Sequence, residues 1–187
     1  MISIVIPIYN EEENLQNLYT RLTNAAPSWK EDYEIVLIDD GSRDSSLTMM
    51  RVMAEKDSHV RVIKLSRNFG HQPAISAGIQ EAKGDAIIIM DGDLQDPPEE
   101  LYRFLDKWRE GYEVVYAVRT KRKEGFFKKL AYSSFYRLLA WVSDIEIPLD
   151  SGDFCVMDRK VVNVLVEEMP EQIRFVRGMR AYAGFKQ

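Results

Sequence analysis

The chain has 187 residues, of which 45% are hydrophobic and 11% aromatic, and this size suits one globular domain with a substantial core. A single Cys155 excludes an internal disulfide framework, and two histidines are too few for a histidine-based zinc site. No run of about 18 apolar residues could span a bilayer, and we expect no signal peptide because no basic region precedes the short apolar N-terminus.

The net charge of −5 is unevenly distributed along the chain. Residues 119–137 contain seven Lys and Arg residues against one acidic residue, which gives this segment a charge of +6 and the remainder −11. A basic strip on an acidic body favours a localised anionic partner. We expect no nucleic-acid partner, and the oligomeric state stays open, a homo-oligomer included.

Apolar strands alternate with helix-like stretches up to residue 118. The predicted strands are 2–8, 33–39, 60–65, 85–91 and 112–118, and the predicted helices between them are 11–26, 45–56, 72–82 and 98–110. Beyond this point we predict a helix at 125–143, a loop at 144–153 and a helix at 158–168. Continuous apolar strands separated by helices predict an open, doubly wound, mostly parallel α/β sheet with helices on both faces.

Polar residues follow three of the strands, at the edge where such a sheet binds ligands. The candidate residues at these points are Pro7, Tyr9, Asn10 and Glu11 around the end of the first strand, Asp39 and Asp40 at the end of the second, and Asp91, Asp93 and Gln95 at and after the end of the fourth. Carboxylates that lie close together need a counter-charge, and a divalent cation is the usual one. Asp93 and Gln95 offer oxygen ligands suited to Mg²⁺ or Mn²⁺, whereas Asp96, beside two prolines, is interpreted as a helix-start residue.

The first loop separates two classes of nucleotide site. A dinucleotide-binding fold would carry a glycine-rich turn here, whereas this chain has "PIYNEEE", whose acids would repel a phosphate. The dehydrogenase interpretation is therefore rejected. Acids in this loop and at Asp39 and Asp40 are better suited to the N–H and hydroxyl groups of a base and ribose.

Five motifs resemble, in order, those of family 2 glycosyltransferases with the GT-A fold. They are "IVIPIYNEEENL", "LIDDGSRDSS", "LSRNFGHQPAISAGI", "GDAIIIMDGDLQDPPE" and "DSGDFCVMDRKVV". The chain is most similar to the polyprenyl-phosphate subgroup, which includes enzymes like dolichol-phosphate mannose synthase and bactoprenol glucosyltransferase. The resemblance implies an inverting, metal-dependent hexosyltransferase that works at the cytoplasmic face of the membrane. It also implies a nucleotide-diphosphate sugar as donor, with UDP-glucose as our expectation, and a polyprenyl phosphate as acceptor.

The resemblance also assigns roles by position. Residues 1–187 would form a single catalytic domain, with 1–118 as the nucleotide-sugar half and 119–187 as the acceptor half. Members usually continue into two membrane-spanning helices, so we expect this chain to be a truncated or short form. The implied nucleotide contacts are Pro7, Tyr9, Asn10, Glu11, Asp39, Asp40 and Asp91, the metal ligands Asp91, Asp93 and Gln95, and the catalytic residues Asp93, Asp153 and Arg119.

The stretch "GFFKKLAYSSFYRLLAWV" has apolar residues on one helical face and basic and aromatic residues on the other. This pattern is typical of a helix at the headgroup boundary of an anionic membrane, and equally of a core helix with a solvated cationic face. On the first interpretation, the acceptor phosphate or the membrane is contacted by Arg122, Lys123, Lys128 and Lys129.

Other interpretations remain for the function. They are a family 2 transferase with a saccharide acceptor, a phosphohydrolase with an aspartate nucleophile, and an inactive nucleotide-binding or receiver-like scaffold. Asp153 could orient the acceptor, act as a weak base, or only stabilise its own turn after "SG". His71 is interpreted as a loop residue without a catalytic role, and Cys155 as buried and inert.

Overall fold

A computed structural model of the protein describes residues 1–118, 151–169 and 175–187. The strands are β1 (Ile2–Ile8), β2 (Tyr33–Asp39), β3 (Val60–Lys64), β4 (Ala86–Ile89), β5 (Val114–Val118) and β6 (Ser151–Asp158). The α-helices are α1 (Glu12–Ala25), α2 (Ser46–Lys56), α3 (His71–Glu81), α4 (Leu101–Arg109), α5 (Arg159–Asn163) and α6 (Val176–Tyr182). Short 3₁₀ turns cover Ala26–Trp29 and Pro98–Glu100, and a π-helical turn covers Val164–Glu168.

The six strands form one sheet in the order β3-β2-β1-β4-β6-β5. Strands β1 to β4 are parallel to one another, whereas β6 runs antiparallel to both β4 and β5. The carboxyl ends of the parallel strands therefore meet at one edge, and β6 begins at that same edge. The predicted α/β sheet covered by helices is confirmed.

The apolar runs of the strands produce two core layers, one on each face of the sheet. Alternate residues of β1 lie on opposite faces: Ile4 belongs to the layer that contains the apolar side of α1, and Val5 belongs to the layer under α3. Helix α1 buries Leu15, Leu18 and Leu22, which recur at helical spacing. Parallel strands buried on both faces read as continuous apolar runs, which is why their positions could be predicted.

Helix α3 lies unusually close to the sheet. A Cβ atom at Gly78 would come within 2.3 Å of Val5 Cγ1 and 2.7 Å of Ile38 Cδ1, so only glycine fits without displacement. This close approach fixes where the first turn of α3, with His71 and Gln72, stands relative to the carboxyl edge of the sheet.

Strand β6 corrects the sequence-based prediction. We expected a loop up to residue 153, but Ser151–Asp158 is a strand that separates β4 from β5. Its first residues, "SGD", are typical of a turn, and its apolar run is only four residues long. Nothing in such a short run indicates the antiparallel direction, because strand direction is set by the connection and the neighbours rather than by local propensity.

Candidate active site

A cleft of about 320 Å³ opens at the carboxyl edge of the parallel strands. It lies where the loops after β1 and β2, the turn after β4 and the start of α3 meet. Its lining residues are Pro7, Ile8, Tyr9, Glu11, Asp40, Asn68, Gly70, His71, Asp91, Gly92 and Asp93. Most of the nucleotide and metal candidates from the sequence are therefore brought to one cavity, as the strand order requires.

The loop after β1 is held in place by the loop after β2. Asn10 adopts a positive φ of 56°, its backbone N–H donates to Ser42 Oγ (3.1 Å), and its side-chain Oδ1 accepts the N–H of Arg43 (2.8 Å). The N–H of Glu11 donates to Ser46 Oγ (2.9 Å). Asn10 thus serves as a structural link between the two loops, while Tyr9 and Glu11 line the cleft.

Asp39 and Asp40 are both buried but differ in what their carboxylates contact. Asp39 Oδ1 accepts the N–H of Ser42 (3.0 Å), and its Oδ2 is buried without a hydrogen-bond partner in the described structure. Both oxygens of Asp40 are engaged: Oδ1 accepts the N–H of Phe69 (2.7 Å) and Oδ2 that of Gly70 (2.9 Å). Asp40 therefore holds the loop that leads into α3, whereas Asp39 is fully buried, is not among the cleft-lining residues and has one oxygen unpaired within the described residues.

The turn after β4 presents Asp91 and Asp93 to the cleft. Asp93 Oδ1 accepts the N–H of Gln95 (3.0 Å), and Leu94 between them has a positive φ of 65°. The residue that precedes the following turn is Pro97, whereas Asp96 lies one position earlier. Its buried carboxylate instead accepts the N–H of Asp91 (3.3 Å) and so stabilises the turn itself.

The ligand set suits a cation that shares its coordination with a substrate. No group of three or more acidic, histidine or cysteine side chains able to hold a metal occurs within 1–118, 151–169 and 175–187. Two cleft-lining carboxylates nevertheless fit Mg²⁺ or Mn²⁺, because such ions are often bound through one or two carboxylates together with substrate phosphates and water. Asp91 and Asp93 keep their candidate role on this basis, whereas Gln95 is exposed and is not among the cleft-lining residues.

His71 is a cleft residue that our sequence interpretation underrated. Its Nε2 lies 2.8 Å from Asp91 Oδ1, and its Nδ1 lies 3.9 Å from Asp153 Oδ2. The hydrogen bond to Asp91 raises the pKa of His71 above its ordinary value of 6.5, and the charge of Asp153 acts in the same direction. The position of His71 could have indicated its role from the sequence, because this residue begins a helix whose first turn lies at the ligand-binding edge of the sheet.

Asp153 reaches the same edge because β6 is antiparallel. The register pairs Ile89 with Cys155, which brings Asp153 to the cleft edge, where His71 contacts Asp91 and lies 3.9 Å from Asp153. Its side chain is only 15% exposed, and its Oδ2 lies 3.3 Å from Arg177 Nη2 and 3.5 Å from Gln72 Nε2. The structure thus joins Asp91, His71 and Asp153 in one polar row, with Gln72 and Arg177 behind it.

Several predictions fall outside the described residues. These are Arg119, Arg122, Lys123, Lys128 and Lys129, together with the predicted helix at 125–143. Among the helices in the described part of the chain, none has both the length and the apolarity that crossing a bilayer requires. Cys155 is buried as expected, and burial raises the pKa of its thiol.

Comparison with known proteins adds a family to this geometry. The family described as "Glycosyl transferase family 2" matches residues 3–166. The chain belongs to this family. Membership confirms the family named from the sequence motifs and decides against the phosphohydrolase interpretation.

Two curated relatives carry glycosyltransferase names. "Uncharacterized glycosyltransferase YkcC" of Bacillus subtilis (strain 168) is 51% identical over 186 residues, which are 99% of this chain and 57% of the relative. "Uncharacterized glycosyltransferase sll0501" of Synechocystis sp. is 44% identical over 187 residues, which are 100% of this chain and 58% of the relative. The chain therefore spans less than two thirds of the length of these relatives.

One solved structure illustrates the shared fold. The mannosyltransferase PcManGT from Pyrobaculum calidifontis, in complex with GDP-Man and Mn²⁺, superimposes with a TM-score of 0.60 at 20% sequence identity. The match covers 88% of this chain and 46% of that one. This likeness confirms the GT-A architecture predicted for the family 2 chain.

Proposed function

We propose that this family 2 chain transfers a hexose from a nucleotide-diphosphate sugar to a polyprenyl phosphate at the cytoplasmic surface of a membrane, with inversion at the anomeric carbon. The observation that carries the proposal is the meeting of the β1 loop, the β2 loop, the Asp91–Asp93 turn and Asp153 at one edge of the sheet. The nucleotide-sugar half would be 1–118 and the acceptor half 119–187. UDP-glucose is the first donor to test.

The donor would lie across the carboxyl ends of β1, β2 and β4. Pro7, Tyr9 and Glu11 line the wall where a base and ribose would fit, with Asn10 holding that wall in place. Asp39 is buried beneath this wall, and a contact of its unpartnered Oδ2 with an N–H of the base is part of the proposal; Asp40 would act through the loop that it holds. GDP-Man bound to a neighbour of the same fold supports a nucleotide sugar as ligand.

The diphosphate would meet the Asp91–Asp93 turn. Asp91, Asp93 and Gln95 would hold Mg²⁺ or Mn²⁺, which when bound stabilises negative charge on the departing nucleoside diphosphate. The Mn²⁺ in the neighbouring mannosyltransferase complex supports this assignment. Without a cation, the two carboxylates would repel the donor diphosphate, although His71 lies beside Asp91.

The acceptor would approach from the side of Asp153. A phosphate oxygen of the acceptor forms the new bond to the anomeric carbon while the bond from that carbon to the diphosphate oxygen breaks. Because a phosphate is already anionic near neutral pH, the reaction does not require a strong general base. Asp153 would therefore orient the acceptor, and Arg119, Arg122, Lys123, Lys128 and Lys129 would contact phosphate or anionic lipid.

A transfer assay tests the proposal directly. The chain is incubated with polyprenyl phosphate in mixed micelles, Mn²⁺ or Mg²⁺, and radiolabelled UDP-glucose or GDP-mannose, and label in the organic phase is counted. We expect a phosphate-linked hexose, and a loss of at least about a hundredfold in Asp93→Asn because charge stabilisation at the leaving group is removed. Asp106→Asn, an exposed carboxylate on α4, serves as the matched control.

Two results would contradict the proposal. Label transferred only to a soluble saccharide would assign the chain to a family 2 transferase with a different acceptor. No thermal stabilisation by UDP or GDP with Mn²⁺ would indicate an inactive scaffold. Co-sedimentation with phosphatidylglycerol vesicles, compared with phosphatidylcholine vesicles, tests the membrane surface separately, and binding to neither would remove it.

A further inference from the structure

Gln72, in the first turn of α3, connects three elements that are remote in sequence. Its Oε1 accepts the backbone N–H of Val176 at the start of α6 (3.0 Å), and its Nε2 points to Asp153 Oδ2 on β6 (3.5 Å). We propose that Gln72 is a positioning residue that fixes the Asp153 carboxylate at the acceptor side of the cleft. The assignment of this side to the acceptor rests on the function proposed above, whereas the contact between Gln72 and Asp153 is independent of that function.

The orientation of the Gln72 amide follows from its partners. The N–H of Val176 can only donate, so the amide oxygen must face it, and the amide NH₂ then faces the carboxylate. The bond to Val176 is the shorter of the two and anchors the side chain. The longer contact to Asp153 is consequently a fixed donor aimed at a carboxylate oxygen, rather than an accidental approach of two mobile groups.

The side-chain amide of Gln72 therefore influences Asp153 in two ways. Arg177, whose Nη2 lies 3.3 Å from Asp153 Oδ2, directly follows the residue that Gln72 holds. Gln72 acts on Asp153 directly through Nε2 and indirectly through the placement of Arg177. Because these donors converge on one oxygen of a largely buried carboxylate, loss of one of them allows the group to turn.

This arrangement defines what Asp153 can do. Its Oδ2 is committed to Gln72 and Arg177, with His71 Nδ1 at 3.9 Å. A carboxylate held in this way is suited to orienting a neighbouring group. Orientation matters to the rate, because a displacement of about 1 Å at a reacting centre can cost about a hundredfold.

Gln72→Glu preserves the shape of the side chain and removes the Nε2 donor, which lies 3.5 Å both from Asp153 Oδ2 and from His71 Nδ1. The introduced carboxylate could still accept the N–H of Val176, but its second oxygen would face Asp153 at about the same distance, and two carboxylates would repel each other. The same substitution at Gln80, exposed near the other end of α3, gives a matched control with the same change in net charge. The double variant Gln72→Glu, Asp153→Asn exchanges the two groups, so that one amide again faces one carboxylate.

Thermal unfolding of the metal-free chain tests the contact without any activity. We expect Gln72→Glu to lower Tm by about 3 °C or more relative to Gln80→Glu, and the reciprocal double variant to recover at least about half of that loss. Losses of Gln72→Glu and Asp153→Asn that simply add in the double variant would overturn the proposal, because independent sites are additive.

Transfer kinetics test the catalytic consequence. With saturating donor, we expect kcat of Gln72→Glu to fall at least about tenfold while the KM for the donor stays within about twofold, since the change lies on the acceptor side. A kcat equal to that of Gln80→Glu overturns the positioning role. If the wild-type chain binds nucleotide but transfers to no polyprenyl phosphate, the proposed function fails, and the Tm experiment still decides whether Gln72 positions Asp153.

Discussion

Asp40 offers a sharp test because the sequence and the structure suggest different roles for it. The sequence motif nominates it as a nucleotide contact, whereas its side chain, in a residue only 3% exposed, accepts two backbone N–H groups of the loop before α3. Asp40→Asn preserves the size of the side chain but removes its charge and replaces one acceptor oxygen with an NH₂ group. That NH₂ group would face the N–H of either Phe69 or Gly70 and leave it without an acceptor.

The size of the effect can be estimated from the two bonds. A hydrogen bond to a charged group contributes about 1.5–3 kcal/mol. Asp40→Asn loses one such bond and converts the other into a weaker neutral one, so we expect the free energy of unfolding to fall by about 2–4 kcal/mol. In a chain of this size, that corresponds to a decrease in Tm of about 5–12 °C.

Urea and thermal unfolding of the metal-free chain measure this loss without any ligand. The matched control is Asp32→Asn, an exposed aspartate just before β2. A second measurement, the stabilisation by UDP with Mn²⁺, should weaken together with the loop, since Asn68, Gly70 and His71 line the cleft. An Asp40→Asn variant as stable as Asp32→Asn, yet unable to bind nucleotide, would refute the loop-holding role and favour direct contact with the nucleotide.

Three further predictions concern the core and the cleft. His71→Gln keeps a hydrogen-bond donor but removes the titrating group. Because Asp91 raises the pKa of His71, the native histidine should stabilise the metal-free chain most below about pH 6.5. This difference in stability between the native protein and the variant should fade as the pH rises through the raised pKa. Urea midpoints of both proteins at about pH 5.5 and 8.5 measure it, and a difference that does not change with pH would contradict the assignment. Gly78→Ala should lower the free energy of unfolding by about 1–3 kcal/mol because the new methyl group meets Val5 and Ile38, and an unchanged Tm would show that α3 can move away freely. Glu34→Gln should lower the free energy of unfolding by about 2–4 kcal/mol at neutral pH. Burial alone would raise the pKa of Glu34, but hydrogen bonds from Ser3, Arg61 and the N–H of Lys83 outweigh burial and lower the pKa. The loss of stability should therefore shrink as the pH falls through the lowered pKa, and an equal loss in acid would contradict this explanation.

The parallel part of the sheet could be predicted because its physics is local. The runs "ISIVIPI" and "YEIVLID" are largely apolar, as strands buried on both faces must be, and the polar residues after them mark the edge where ligands bind. The sequence therefore sufficed to predict that Tyr9, Glu11, Asp91 and Asp93 share one cleft, and they line it together. Their contacts with substrate stay predictions.

The remaining features depend on contacts between distant residues. The pairing of Ile89 with Cys155 brings Asp153 to the cleft edge near His71, and no local pattern in either segment contains that register. The different roles of Asp39 and Asp40 are likewise invisible in "LIDDGS", since they depend on which carboxylate the loop at Phe69 and Gly70 reaches. Gln72 was missed for the same reason, because its partner at Val176 is 104 residues away.

The antiparallel pairing of β5 and β6 has a consequence for how this family 2 chain could diversify. Val118 pairs with Ser151, so the chain leaves the sheet and returns to it at neighbouring points on the cleft edge. The pairs between Val114 and Met157 and between Val115 and Val156 fix those two points independently of what lies between them. Because this pairing holds the two ends of residues 119–150 side by side, we expect that segment to be exchangeable as a cassette while the sheet keeps its geometry. One sheet could in this way serve many acceptors, and chimeras that join relatives at these two residues are the natural way to explore them.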